Sequence, residues 1–290
     1  MCTDSTATCD GFRFDKPVFS TTIYMQIRSL AALPVRGSNG AILKVPEVTI
    51  YFWIVKLLST AMGESTSDYL VFQINPYVAV AIGCVGLAVA LILQLSARRY
   101  VAWIYWLAVV MVAVFGTMAA DVMHVVMGIP YLVSTVFFAS ALAIVFVTWY
   151  ASEKTLSIHT VYAGRRELFY WATVIATFSL GTAAGDMTAS TLGLGYFPSF
   201  VLFAVLFAAP ALAYRLFGLN EIFAFWFAYI VTRPLGASFA DWFGKPYLGG
   251  LGLGDAKVAP VLTILIIGFV GYLSVSRVDV KDERRAVVSS

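Results

Sequence analysis

Apolar residues gather in eight stretches, 46–65, 77–95, 101–120, 131–150, 168–185, 199–213, 221–240 and 258–275, parted by short polar, glycine-rich or proline-containing breaks. A helix needs about 20 such residues to cross a bilayer. The sixth stretch is short as bounded and reaches full length if it begins at Tyr196. The pattern predicts an all-α polytopic membrane bundle of eight transmembrane helices. Composition supports this: 60% hydrophobic residues, 12% charged residues and a mean hydropathy of +0.85 lie outside the range of a soluble domain.

Within these stretches a second pattern recurs. Four tryptophans are each followed ten residues later by a glycine and fifteen later by an aspartate: Trp53/Gly63/Asp68, Trp106/Gly116/Asp121, Trp171/Gly181/Asp186 and Trp226/Gly236/Asp241. At this glycine and aspartate content a given tryptophan would carry both partners by chance roughly a quarter of a percent of the time, so the spacing is an internal repeat. Each unit opens on an aromatic pair (Phe52-Trp53, Tyr105-Trp106, Tyr170-Trp171, Phe225-Trp226) suited to the headgroup level. After the aspartate comes a loop with a proline (Pro76, Pro130, Pro198, Pro246) that marks the start of a returning helix. Four tandem hairpins are expected, at 46–99, 100–163, 164–217 and 218–276, between polar tails at 1–45 and 277–290. Each unit holds two crossings, so all four enter the membrane in the same sense, as parallel repeats.

The tandem W-x9-G-x4-D units, with stretches such as KVPEVTIYFWIVKLLSTAMGESTSDYL, FYWATVIATFSLGTAAGD and FWFAYIVTRPLGASFADWFGKPYLGGLGLG, resemble the bacterial membrane proteins built of four tandem repeats of unknown function. The resemblance covers about residues 44–275. It implies the helical layout and carries no substrate.

Basic residues set the orientation. Arg98, Arg99, Lys154, Arg165, Arg166, Arg215, Arg277, Lys281, Arg284 and Arg285 follow the even stretches, and Arg13, Lys16, Arg28, Arg36 and Lys44 precede the first, which puts 15 of the 19 Lys and Arg on one side. The positive-inside rule makes that side cytoplasmic, with both termini there, and the resemblance implies that the membrane is a bacterial inner membrane. On the other side only Lys245 and Lys257 break the pattern. The net charge of +3 is thus accounted for by topology, without a nucleic-acid partner. The N-terminal tail is read as cytoplasmic and mobile, and Cys2, Cys9 and Cys84 as free thiols in a reducing compartment.

The candidate chemistry lies in the polar residues of the apolar stretches. Fifteen helical residues rise about 22 Å, so the aspartates sit near the outer side of a hydrocarbon core about 30 Å thick. Carboxylates at that depth face neighbouring helices, a cation or a watery cavity. If the four units share an axis, Asp68, Asp121, Asp186 and Asp241 converge on it. Glu64 and Asp68 lie on one helix face and offer oxygen ligands to a hard dication. Asp121 and His124 form an oxygen/nitrogen pair suited to Mn, Fe or Zn. These four are the candidate metal ligands, with Asp186, Asp241, Lys56 and Arg233 completing the pathway. Lys56 and Arg233 also allow internal ion pairs, with Glu64 and Asp241 the expected partners. Gly63, Gly116, Gly181 and Gly236 either loosen their helices or permit close packing. The run Gly249–Asp255 lacks the strand and spacing of a nucleotide loop and reads as an outer loop, flexible or tightly packed.

Two function classes follow. A secondary transporter of a cation, either a divalent metal or a proton-coupled solute, fits the repeats, the intramembrane acids and the lack of an ATP-binding loop. A dication would then be a substrate rather than a cofactor. The alternative is a non-transporting envelope protein, a membrane enzyme or assembly partner, whose acids only make structural ion pairs. Against an enzyme, His124 and His159 are the only histidines and neither has a serine or cysteine nucleophile arranged with it. Metal-assisted hydrolysis through Asp121, His124 and Glu64 is the enzymatic form of that alternative.

Overall fold

Each apolar stretch folds as one long helix in the computed structural model, which describes residues 43–280. The helices are α1 (Ile50–Gln73), α2 (Pro76–Ser96), α3 (Ala102–Asp121), α4 (Tyr131–Glu153), α5 (Arg165–Asp186), α6 (Tyr196–Phe217), α7 (Glu221–Gly244) and α8 (Asp255–Ser276). The sixth helix begins at Tyr196 and so has full length. Arg13, Lys16, Arg28, Arg36, Lys281, Arg284, Arg285, Cys2 and Cys9 lie outside the described residues, and Cys84 is a free, exposed thiol on α2. Side-chain caps start three helices: Thr49 accepts from the Phe52 amide, Asn75 from Tyr77 and Asn220 from Phe223. Pro76 is the first residue of α2, Pro130 precedes α4 and Pro198 lies in the first turn of α6. Pro246 departs from the expectation, because the loop before Asp255 separates it from α8.

Burial divides the helices into two sets. The apolar windows of α3, α5 and α7 are more than half buried, those of α2, α4, α6 and α8 less than a third. α1 packs on α3, α3 on α5, α5 on α7 and α7 back on α1, so the four tryptophan-bearing helices close a ring. Outside it, α2 leans chiefly on α3, α4 on α5, α6 on α7 and α8 on α1. Each repeat is a hairpin in chain order, yet its second helix packs mainly on the first helix of the next repeat, and the last helix returns to the first.

Two cycles of contacts explain why the ring closes. A Cβ on Gly63 would strike Ala113, one on Gly116 would strike Phe178, one on Gly181 would strike Arg233 and Pro234, and one on Gly236 would strike Thr60 and Ala61. Every repeat glycine therefore receives the same position, seven residues after the tryptophan, of the following repeat. The helices run unbroken through these glycines, so close approach and not helix loosening is their role. At the tryptophan end Phe52 meets Trp106 with ring centroids 5.7 Å apart, Tyr105 meets Trp171 at 5.7 Å, Tyr170 meets Trp226 at 6.3 Å and Phe225 meets Trp53 at 5.8 Å. Most of these rings are buried. The aromatic pairs thus plug the ring instead of settling among headgroups, because each is claimed by the next repeat.

The outer helices turn apolar side chains outward, among them Val78, Val85 and Ile92 on α2, Val133 and Ile144 on α4, and Ile264 and Ile267 on α8. So wide an exposed apolar surface is that of a membrane protein. Seven of the eight helices are long and apolar enough to cross a membrane. The exception is α1, where Lys56, Glu64, Asp68 and several Ser and Thr lower the hydropathy, and these side chains are the ones the ring buries.

Valine at Gly63 or Gly236 is expected to destabilise the bundle by about 1–3 kcal/mol, the range for overpacking. Valine at Gly268 or Gly271, where a Cβ would meet nothing within 4 Å, is expected to leave stability unchanged. Melting curves of the four variants in detergent check this.

Candidate functional site

Because the inner helices run in the same direction with the same spacing, equivalent residues meet on the ring axis in layers. Next to the aromatic plug, Tyr105 and Tyr170 share a hydroxyl hydrogen bond of 2.5 Å. One turn further on, the Lys56 ammonium lies 3.8 Å from the centroid of Phe178 and 4.1 Å from that of Tyr229, fully buried. It has no hydrogen-bond partner, so the expected pair with Glu64 is not formed and the amine rests against aromatic faces instead.

Arg233 occupies the next layer and touches every inner helix. Its Nη2 shares its two hydrogens among Glu64 Oε2 on α1 at 2.8 Å, Thr182 Oγ1 on α5 at 2.6 Å and Thr117 Oγ1 on α3. Its Nη1 donates to the Thr60 carbonyl at 3.4 Å. Thr117 in turn donates to Glu64 Oε2 at 3.2 Å. The expectation that Arg233 pairs with Asp241 is corrected here. Eight residues separate the two along α7, about 12 Å of rise, and Glu64 of the neighbouring helix lies nearer to the guanidinium.

The four aspartates converge past this layer in two unlike halves. In one half, Lys245 Nζ sits 2.9 Å from Asp68 Oδ2 and 2.8 Å from Asp241 Oδ1. A carboxylate oxygen from each of Glu64, Asp68 and Asp241 lies within 4.8 Å of the other two. In the other half, Asp121, His124 and Asp186 bring one ligand atom each within 4.8 Å of one another. His124 Nδ1 is 3.8 Å from Asp186 Oδ2, and its Nε2 is 2.5 Å from Ser134 Oγ on α4. Asp121 makes no hydrogen bond or ion pair with Lys or Arg among the described residues. Both aspartates of this half are followed by a single π-helical turn, Val122–Val126 after α3 and Met187–Thr191 after α5, a feature frequent at functional sites. The candidate ligands therefore regroup: Glu64 and Asp68 join Asp241 and a lysine, while Asp121 and His124 join Asp186.

Lys245 owes its place to the glycine loop behind it. Gly249, Gly252 and Gly254 take positive φ values, and the chain folds back so that the amides of Leu251, Gly252, Leu253 and Gly254 bond to the carbonyls of Trp242, Lys245, Phe243 and Gly244. A Cβ on Gly250 would collide with the Lys245 carbonyl. The loop is tightly packed, and it caps α7. Burial works against the Lys245 charge, yet Asp241, Asp68, Glu64 and Asp186 together hold its pKa well above the usual lysine value. A folded-state pKa raised in this way contributes stability that is fully present below the unfolded pKa of about 10.4 and lost only as pH climbs through the folded value, so Lys245 stays protonated at neutral pH.

Sequence reasoning missed Lys245, the threonines and Ser134. A signal for the lysine existed: it is one of two basic residues in otherwise basic-free loops and lies four residues after Asp241. At the opposite end Lys44, counted only as topological charge, is buried against Glu167 at 2.8 Å and donates to the Gln94 carbonyl at the end of α2.

The family model for the repeat of unknown function (DUF347) matches four times, at residues 51–100, 104–155, 169–218 and 224–279. The chain belongs to this repeat family. Each match begins at or just before the aromatic pair and spans one inner and one outer helix, so the ring is built of four copies of the family's repeat. No curated protein and no solved structure matches the chain.

Replacing Arg233 by Met strands Glu64 in the interior and is expected to cost about 3–5 kcal/mol, as for other broken buried pairs. Adding Glu64→Gln is expected to restore a large part of that loss. A double-mutant cycle on thermal or denaturant unfolding measures the coupling.

Proposed function

We propose that this protein is a secondary transporter of a cation, either a divalent metal or a proton-coupled solute, working through carboxylates from all four repeats. One observation carries the reading: Glu64, Asp68, Asp121, Asp186 and Asp241 gather at one end of a shared axis, and among the described residues only Arg233 and Lys245 of the Lys and Arg side chains touch them. Carboxylates this close inside a membrane cannot all stay charged unless cations or protons join them. Binding and release of such a cation is the step that a transporter couples to movement. The aromatic plug and Lys56 close the axis at the tryptophan end, while Asp186 and Lys245 keep partial exposure at the other.

The same reading keeps the basic-rich tryptophan end in the cytoplasm of a bacterial cell, with both termini there, so the carboxylate end faces outward. The Arg233–Glu64 pair and the Lys245 pairs favour a structural part for Glu64, Asp68 and Asp241, as in a non-transporting bundle. Among the described residues no Lys or Arg pairs with Asp121 or Asp186, and these two separate the readings.

With the protein in proteoliposomes, cation uptake or counter-movement of protons is expected to fall at least about tenfold, the equivalent of about 1.4 kcal/mol, in Asp121→Asn and Asp186→Asn. Ion-selective dyes inside the vesicles read the flux. Flux equal to that of empty vesicles, for every monovalent and divalent cation tried, removes the transport reading.

A further inference from the structure

The two halves of the carboxylate cluster differ in what they lack. Asp68 and Asp241 already hold a cation, the ammonium of Lys245. Among the described residues no Lys or Arg forms an ion pair with Asp121 or Asp186, and the imidazole of His124 lies beside them. That ring is only 4% exposed, and its Nδ1 is buried without a hydrogen-bond partner. Leaving a buried ring nitrogen unpaired is costly, and such an orphan calls for an explanation.

We infer that Asp121, His124 and Asp186 form a binding site for a first-row transition-metal dication, with His124 Nδ1 and one oxygen from each aspartate as ligands. The spacing suits it. Ligand bonds of about 2.0–2.2 Å place neighbouring donor atoms roughly 3–4 Å apart; Nδ1 stands 3.8 Å from Asp186 Oδ2, and one ligand atom from each of the three residues lies within 4.8 Å of the other two. The donor set selects the class, since an imidazole with two carboxylates favours Mn, Fe, Co or Zn over Mg or Ca, which take oxygen alone. The outer ring nitrogen is also arranged as metal sites require. Nε2 bonds to Ser134 Oγ, and that hydroxyl also donates to the Tyr131 carbonyl, so Ser134 accepts the Nε2 proton and fixes the tautomer that leaves the Nδ1 lone pair free for a metal. Tyr131 packs its ring against the imidazole with centroids 4.2 Å apart and locks its plane. The π-helical turn carries His124 toward Asp186 of the next repeat. Charge agrees as well: when all are ionised, five carboxylates against Arg233 and Lys245 leave a surplus that one dication largely cancels.

This site deepens the transport reading by naming a substrate class, but binding can be measured without flux. Full-length protein in lipid nanodiscs, stripped of metal, is titrated with Co2+, whose visible absorption reports nitrogen and oxygen ligation. One Co2+ per chain is expected, displaced by Zn2+. His124→Gln is expected to weaken it by about 100-fold and Ser134→Ala by about 10–100-fold, the range for outer-shell partners. Glu221→Gln, an exposed carboxylate at the tryptophan end, is expected to keep the Co2+ spectrum. Melting curves confirm that each variant is folded. If the folded wild type takes up no Co2+, or His124→Gln binds it as tightly and with the same bands, the site is refuted, even where Na+ or proton flux in vesicles keeps the transporter reading alive. Co2+ bound through His124 without flux of any cation upholds the site and removes the transporter.

Discussion

Arg233 is the constraint on which the bundle turns. A guanidinium in the middle of a membrane protein is stable only if its charge is met and its donors are filled. Here Glu64 meets the charge, and Glu64, Thr182, Thr117 and the Thr60 carbonyl take up the two terminal nitrogens from three different helices, while Nε is left without a partner. None of these partners lies on α7 itself. The pairing therefore works only when α1, α3, α5 and α7 stand side by side around one axis, so a local charge requirement dictates the ring. The repeat glycines make that approach possible, and Gly181 gives up its side chain to the stem of Arg233.

The pseudo-fourfold arrangement is broken by the residues that carry chemistry. At the position eleven residues after the tryptophan stand Glu64, Thr117, Thr182 and Ala237, one acid and two hydroxyls gathered about a single cation. Past them the aspartates are equivalent in sequence but not in surroundings, since Lys245 serves one half and His124 the other. A repeated scaffold thus supplies convergence, and a few unrepeated side chains make the two halves different.

Much of this was legible in the chain. The W-x9-G-x4-D spacing told that four helices are equivalent and run the same way, which is enough to bring Asp68, Asp121, Asp186 and Asp241 to one level. It could not tell which helix neighbours which. That depends on the fit of each glycine against the next repeat, as at Gly236 against Thr60, and on the leaning of α8 onto α1, a contact between the two ends of the chain. Ion-pair partners were misjudged for the same reason. Along one helix Lys56 is near Glu64 and Arg233 is near Asp241, but across the ring Arg233 reaches Glu64 first and Lys56 meets only rings. The aromatic pairs looked like an interfacial belt because composition cannot separate a lipid-facing ring from one that faces a neighbouring repeat. Lys245 escaped because its position depends on the fold-back of a glycine loop that no periodicity describes.

The account stands on repeats one and four meeting side by side to close the ring, although they are the most distant in sequence. The most direct measurement is a cysteine pair, Asp68→Cys with Asp241→Cys, in a chain with Cys2, Cys9 and Cys84 replaced by Ser, oxidised in native membranes and mapped by mass spectrometry. A disulfide within single chains, formed readily, is the predicted result. Bonds only between separate copies, or none under conditions that oxidise exposed control pairs, would contradict the closed ring and the shared carboxylate cluster with it.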